Sequence, residues 1–471
     1  MTIAPAVGVG AAGGGRSFRG VGRRGPRWPA LAIVCSLVSV SAWLAAAPAF
    51  AAPVGATVTA ADRSAAVSNA NSLALTATYK VRARIYWERG AILVQSTASV
   101  TNTTALPVSR LTLNLVALVA GDAKVLEVTA GGTRVLVEPH GQTIVVPLPT
   151  ALGPGDRTNV TIRYRARFNA IDDSRRPLLG QADNVLTAYR WIPWLSRRQT
   201  FATPNFGESW VTAVTPRVTV TLVSQTPLVY ATSGNRVARR GNSQTFVARN
   251  VRDFNFSASP DYHVRRIAWR GVTVRTYQLT GSADALTEYA VDALKRFSKE
   301  IGPYAYPALN VAEAPISSGM ESPALAWIST STAPEDLARL VAHEVAHQWF
   351  YAVVGNNQAQ QPFADEAVAT FLADSLLGPD RSPLCSAGRL DMSVYEYGPR
   401  CYPEVIYVQG ARYLERYRAA VGNDPFWAGM RQYYETYRFG IGGTRRFLDA
   451  LDAASGYEGH LHAKRFPTLY H

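Results

Sequence analysis

From about Tyr79 to Tyr262 apolar and polar residues alternate with a period of two, and this pattern restricts the fold more than any other feature. Val160, Ile162, Tyr164, Ala166 and Phe168 alternate with Thr161, Arg163, Arg165 and Arg167, and Val218, Val220 and Leu222 alternate with Thr219 and Thr221. Successive strand side chains point to opposite faces, so such runs have one buried and one wet face. Turn clusters such as Gly131-Gly132 and Gly153-Pro154-Gly155-Asp156 separate them. A half-buried antiparallel β domain over 79–265 is therefore predicted, with its arginines on the solvated face. There is no internal repeat.

Past about Arg265 the texture changes to helices mixed with short strands. Residues 282–301 place Leu286, Tyr289, Ala290, Ala293 and Leu294 on one helical face, stopped by Gly302-Pro303. Thr332-Ala333-Pro334-Glu335 has a capping-box pattern that would open a helix running through His347. Further helices are expected over 362–378, 407–422 and 424–437; the tail 456–471 carries no clear signal. Trp349-Phe350-Tyr351 reads as core packing behind the helix that ends at His347. The expected fold class is α+β and multidomain: a 1–51 signal peptide, a 52–78 linker, the β domain, then a mixed α/β domain over 266–455 and the tail.

The first 27 residues hold Arg16, Arg19, Arg23, Arg24 and Arg27 and no acid, so the net charge of +14 falls to +9 when these five are set aside. The remaining cations are spread thinly, without the Lys/Arg run of a nucleic-acid patch, and no nucleic-acid partner is expected. The basic start leads into an apolar stretch, 28–47, closed by Ala49-Phe50-Ala51. This pattern suits a cleaved secretory signal, with an uncleaved membrane anchor as the alternative. Membrane contact is expected only if it stays uncleaved; otherwise the chain is extracellular or held in the cell envelope, as a monomer. Cys35 would leave with the signal. Cys385 and Cys401 then remain as a pair able to form a disulfide, two free thiols being the alternative.

The motif that carries chemistry is His343-Glu344-Val345-Ala346-His347. On a helix, residues i and i+4 share a face, so both imidazoles can reach one ion. Zinc takes imidazole nitrogens and prefers four ligands, leaving places for a third protein ligand and a water. Glu366, 19 residues beyond His347, can complete the set after one helix reversal. Glu344 can stand beside the water as general base. The plainer reading is a polar helix whose histidines hydrogen-bond locally. His460 and His462 read as an exposed tail rather than a second metal site.

These motifs resemble those of the aminopeptidase-N-like zinc peptidases, which include the leukotriene hydrolases. That family joins His-Glu-x-x-His, eighteen residues and Glu to an upstream Gly-x-Met-Glu-Asn strand; here Ser318-Gly319-Met320-Glu321-Ser322 stands upstream. The resemblance implies that Glu321, with Gly319 and Met320 beside it, binds a substrate's free α-amine. Tyr407-Val408-Gln409-Gly410 resembles the family's Tyr-Glu-Lys-Gly motif, which implies that Tyr407 stabilises the tetrahedral intermediate, with Tyr402 as a neighbouring Tyr. Trp191-Ile192-Pro193-Trp194 and Arg252-Asp253-Phe254-Asn255-Phe256 look like landmarks of the family's β domain. Ser322, Ala367 and Gln409 depart from the family's Asn, Gly and Lys, and the C-terminal helical domain of larger members is not expected.

The expectation is thus an exported, one-zinc aminopeptidase acting on peptides, with a thermolysin-like catalytic domain. The alternatives are a zinc endopeptidase of the same branch, or an inactive cell-envelope binding protein.

Overall fold

The computed structural model describes residues 72–170, 178–197, 211–279, 283–379, 383–386, 388–398, 401–458 and 460–470. The arginine-rich start, the apolar stretch, its cleavage pattern and Cys35 lie outside the described residues. By contacts the chain separates into 1–57 and 58–471, and the second unit holds all the described residues.

The period of two builds the sheets it predicts. Eight strands lie in the order Asn235–Arg240, Ser243–Ala248, Val218–Ser224, Thr76–Tyr86, Ala91–Thr101, Arg157–Arg167, Lys124–Ala130, Thr133–Arg134. Val81, Ala83, Ile85, Ile162, Tyr164 and Ala166 are buried, while Lys80, Arg82, Arg84, Arg163, Arg165 and Arg167 are exposed on the other face. The sheet is not wholly antiparallel: Thr76–Tyr86 runs parallel to Val218–Ser224. More than a hundred residues separate these two strands, so no hairpin dictates their direction. The first strand also begins at Thr76, inside the segment read as linker. Two smaller sheets, of five and three strands, pack in the same region.

A mixed sheet carries the rest, in the order His263–Trp269, Val272–Gln278, Ala308–Ala314, Leu325–Ser329, Gly319–Ser322. Its first strand straddles residue 265. The middle three strands are mutually parallel and the outer two antiparallel to their neighbours. Helix α1 (Ala283–Glu300) makes the crossover that parallel neighbours require. Leu286, Ala290, Ala293 and Leu294 are buried on one side of it, as their spacing predicts.

Helix α2 (Pro334–Ala346) starts at Pro334, with Ala333 as N-cap and no side-chain cap. The expected capping box is not formed: the Thr332 hydroxyl donates to the Ser329 carbonyl instead. A proline at the first helical position needs no N–H partner, which makes Thr332 dispensable as a cap. After a single turn at Pro362–Ala364 comes α3 (Glu366–Leu377), followed by Gly378. Residues Glu404–Gln409 form a π-helical turn that runs into α4 (Gly410–Val421), then α5 (Asn423–Thr436) and α6 (Thr444–Ser455). The tail is helical as α7 (His460–Arg465). His462 is not exposed: its ring is fully buried, between the Tyr413 hydroxyl and the Asp452 carboxylate. Hydrogen bonds to residues outside the tail hold it, a signal the tail alone could not carry.

The landmarks of the β region act as ties. The buried Arg252 guanidinium donates to the carbonyls of Thr212, Ala352, Val353 and Gly440 at 2.9–3.2 Å. It thereby joins the strand region to the turn after α2 and to the C-terminal helices. Gly355 lies so close that a Cβ there would strike this guanidinium. Trp194 stacks on Tyr79 with centroids 4.2 Å apart.

Candidate active site

Helix α2 presents His343 and His347 one turn apart, and α3 crosses it to bring up Glu366. The ring nitrogens Nε2 of the two histidines are 3.2 Å apart, and Glu366 Oε2 lies 3.1 Å from the first and 3.4 Å from the second. Atoms held about 2.0–2.1 Å from a tetrahedral zinc are about 3.3 Å from one another, so this triangle is of the right size.

The outer ring nitrogens set the tautomers that such a site needs. Thr370 Oγ1 donates to the Glu366 carbonyl, so its oxygen can accept from His343 Nδ1 at 3.3 Å. His347 Nδ1 faces the Phe350 carbonyl at 3.1 Å and Asp365 Oδ1 at 2.8 Å. With both Nδ1 atoms donating outward, two Nε2 lone pairs and a carboxylate oxygen converge on one point. Three acceptors in a dry place call for a cation.

The protonation tendencies of the protein groups alone divide: that of His343 favours a free ring lone pair and that of His347 does not. Burial pushes His343 below the ordinary imidazole value. Burial acts on His347 too, but Asp365 and Glu366 outweigh it and hold this ring well above that value. The two differ because, of the two rings, the Asp365 carboxylate contacts that of His347. Burial would raise Glu366, yet hydrogen bonds from both histidines hold it well below the usual carboxylate range.

Glu344 faces the cleft from α2 and is only 4% exposed. The edge strand Gly319–Ser322 passes directly against it: a Cβ on Gly319 would lie 2.0 Å from Glu344 Oε1. Glycine at 319 is therefore what allows the strand and the carboxylate to share this space. Met320 is buried below, and Glu321 turns into the cleft at 4% exposure. Carboxylate oxygens of Glu321 and Glu344 and a nitrogen of His347 all lie within 4.8 Å of one another.

Tyr407, from the π-helical turn, completes the opposite wall. Its ring is stacked parallel to that of His343 with centroids 5.7 Å apart, and Tyr402 meets it edge-on at 6.0 Å. A π turn inserts one extra residue into a helix and re-aims the side chains around it. Here it precedes Gly410, where an added Cβ would lie 2.5 Å from that of Ala367. The small pair Ala367 and Gly410 is thus what lets α4 approach α3 and carries Tyr407 to the site. Gln409 donates to the carbonyls of Cys385 and Ser386 and accepts from Gly388. Cys385 and Cys401 are disulfide-bonded, with Cα atoms 6.2 Å apart. Closing a loop of 16 residues contributes about 3 kcal/mol.

Every site residue expected from the sequence is thus gathered in one cleft, which Thr332, Arg339 and Arg412 also line. Four others have no place in the sequence motifs: Tyr189, Arg190, Gln358 and Asp365. Gln358 donates to Glu321 at 2.9 Å and to Asp365 at 2.7 Å, and Arg190 donates to Gln358 at 2.9 Å. Arg190 also reaches the Tyr351 hydroxyl and the Asp253 carboxylate. Tyr351, expected to be core only, is buried but has its hydroxyl in this network. Ser322 accepts from Asn255, whose carbonyl oxygen takes the Arg190 N–H. Asp365 had a sequence signal, an acid directly before the third ligand at a helix start; Tyr189, Arg190 and Gln358 had none.

Among solved structures the chain is similar to the M1 zinc metallopeptidase from Deinococcus radiodurans, with a TM-score of 0.66 and 19% identity over 83% of this chain and 94% of that one. A mutant of that enzyme bound to a Tyr-Ser-Ala substrate matches with a TM-score of 0.65, at 19% identity and the same shares of the two chains. A two-domain M1 zinc metallopeptidase mutant bound to L-tryptophan matches with a TM-score of 0.63 and 18% identity, over 82% of this chain and 92% of that one. The chain therefore has the fold of the M1 zinc metallopeptidases. No family model matches the sequence.

Proposed function

We propose that this chain is an exported zinc aminopeptidase that removes N-terminal residues from peptides, acting as a monomer. The observation that carries the reading is the convergence of His343 Nε2, His347 Nε2 and Glu366 Oε2, with Glu344 and Glu321 on the facing wall. The shared fold supports it, as do the neighbours crystallised with a peptide or an amino acid. In this reading the β domain, from Thr76, precedes the thermolysin-like catalytic domain, whose sheet starts with the strand His263–Trp269.

His343, His347 and Glu366 would hold one zinc, which when bound polarises a carbonyl and lowers the pKa of a water. Glu344 takes the proton of the attacking water and returns it to the leaving amine. The Tyr407 hydroxyl donates to the oxygen that gains charge at the scissile carbon. Glu321 receives the substrate's α-ammonium and so sets the cut one residue from the N-terminus.

Glu321 gives the decisive test. A charge-assisted hydrogen bond is worth roughly 1.5–3 kcal/mol, or about one to two decades. Acetylation removes the ammonium and sets a blocking group against Glu321, so discrimination should exceed the bond alone. Free peptides are expected to be trimmed at least a hundred-fold faster than acetylated ones, and Glu321→Ala to lower free-amine hydrolysis tens- to thousands-fold with zinc retained. Internal cleavage of acetylated peptides at the rate of free ones would replace this reading with the endopeptidase.

Export rests on the basic start, the apolar stretch 28–47 and the Ala49-Phe50-Ala51 pattern. Sequencing of material from outside the cytoplasmic membrane should begin close to Ala52. An intact N-terminus in the membrane fraction would mean an anchor instead.

A further inference from the structure

The amide of Gln358 sits between the two halves of the site. Its Nε2 donates one hydrogen to Glu321 Oε1 at 2.9 Å and the other to Asp365 Oδ2 at 2.7 Å. Its Oε1 accepts from Arg190 at 2.9 Å. The side chain is 2% exposed. These partners determine its orientation, because the flipped amide would set a carbonyl oxygen against two carboxylates. Asp365 in turn contacts His347 Nδ1 at 2.8 Å. One side chain thus touches both the carboxylate facing the cleft and the carboxylate in contact with the His347 ring.

We propose that Gln358 is a positioning residue that fixes Glu321 for the substrate's ammonium and, through Asp365, fixes His347 for the metal. The proposal rests on the aminopeptidase reading above. The chemistry of the position is specific. A lysine or arginine here would neutralise Glu321 and compete with the incoming ammonium. A carboxylate would repel both neighbours, and an apolar side chain would leave two buried acids without these donors. An amide alone donates to both carboxylates from one nitrogen, adds no charge, and accepts from a guanidinium at its other end.

The mount of this amide is itself rigid. Arg190 has φ 46° and Tyr351 has φ 131°, both in the left-handed region where non-glycine residues are strained. Arg190 is held there by its N–H to Asn255 Oδ1 at 2.6 Å and by its guanidinium on Tyr351 and Asp253. Such strain persists where the surroundings over-determine it, and here they do so beside a candidate site. The β region thereby supplies, through Arg190, the far end of the chain of contacts that terminates at His347.

The test compares the wild-type chain with Gln358→Met, using aminoacyl-anilides with free and acetylated amines and zinc transfer to a chromogenic chelator. Loss of the bridge should raise KM for free-amine substrates about tenfold with kcat within about threefold. It should leave hydrolysis of acetylated substrates unchanged and speed release of zinc to the chelator roughly tenfold, as outer-shell partners do. In a Glu321→Ala background the same change should leave KM where it is. If Gln358→Met does not melt cooperatively, Gln358→Asn carries the comparison, because it adds no charge and its amide, one methylene shorter, withdraws from both carboxylates. A folded variant with wild-type KM, discrimination and zinc release overturns the proposal, as does a loss confined to kcat. A wild-type chain that makes no distinction between free and acetylated amines removes the aminopeptidase reading and this proposal together. A discriminating wild type beside an indistinguishable variant removes this proposal alone.

Discussion

Glu344→Gln is expected to bind zinc like the parent chain and to lose about a thousand- to ten-thousand-fold in kcat. Glu344 lies on α2 beside His343 but is not among the three converging ligand atoms, and it is buried against Gly319. The amide has the same shape, so neither the passage of Gly319 nor the packing of the helix is disturbed. It cannot accept a proton, however, and on the proposed mechanism the attack then lacks its general base. Removing such a base costs about two to four decades, and at about 1.36 kcal/mol per decade the upper two correspond to about 4–5.5 kcal/mol of barrier. Metal analysis, a melting curve and turnover of an aminoacyl-anilide on one preparation decide the matter. Full activity in a zinc-loaded variant would overturn the mechanism.

His347→Ala is expected to remove both metal and activity. Two protein ligands seldom hold zinc against dialysis, so content should fall from one ion per chain to near zero. This residue is the cleaner choice of the two histidines because His343 also stacks on Tyr407, so that its loss would disturb two elements at once. The deletion also leaves Asp365 and Glu366 facing each other without the imidazole between them, so some loss of stability should accompany the loss of metal. Glu366→Gln separates these effects, since it keeps the volume and one acceptor while removing the charge that draws the cation. Its zinc affinity should fall steeply while the metal-free chain still melts cooperatively. Retention of one tightly held zinc by His347→Ala would place the ion elsewhere.

The candidate metal cluster and the candidate base were legible because they are local. Two histidines four residues apart on an amphipathic helix must share a face, whatever the rest of the chain does. Glu366 followed from a single helix reversal. Tyr407 was placed by motif resemblance alone, and what brings it to His343 is a π turn and the Ala367–Gly410 contact, neither of which has a periodic signature. His462 shows the opposite failure. As part of a short terminal segment it read as exposed, and it is buried because Tyr413 and Asp452 are brought to it by helices formed earlier in the chain.

By itself the sequence determined the elements: strands where apolar residues recur every second position, helices where they recur at three and four, and a pair of histidines within one turn. These depend on contacts between near neighbours, which the order of residues states directly. Only the tertiary structure decided the surroundings of the cleft. Tyr189 and Arg190 meet Glu321 and Gln358 across 132 and 168 residues, and Thr76–Tyr86 pairs in parallel with a strand far along the chain. Such pairings are set by how whole sheets and helices pack, because a buried donor or acceptor must find whichever partner the packing brings within reach.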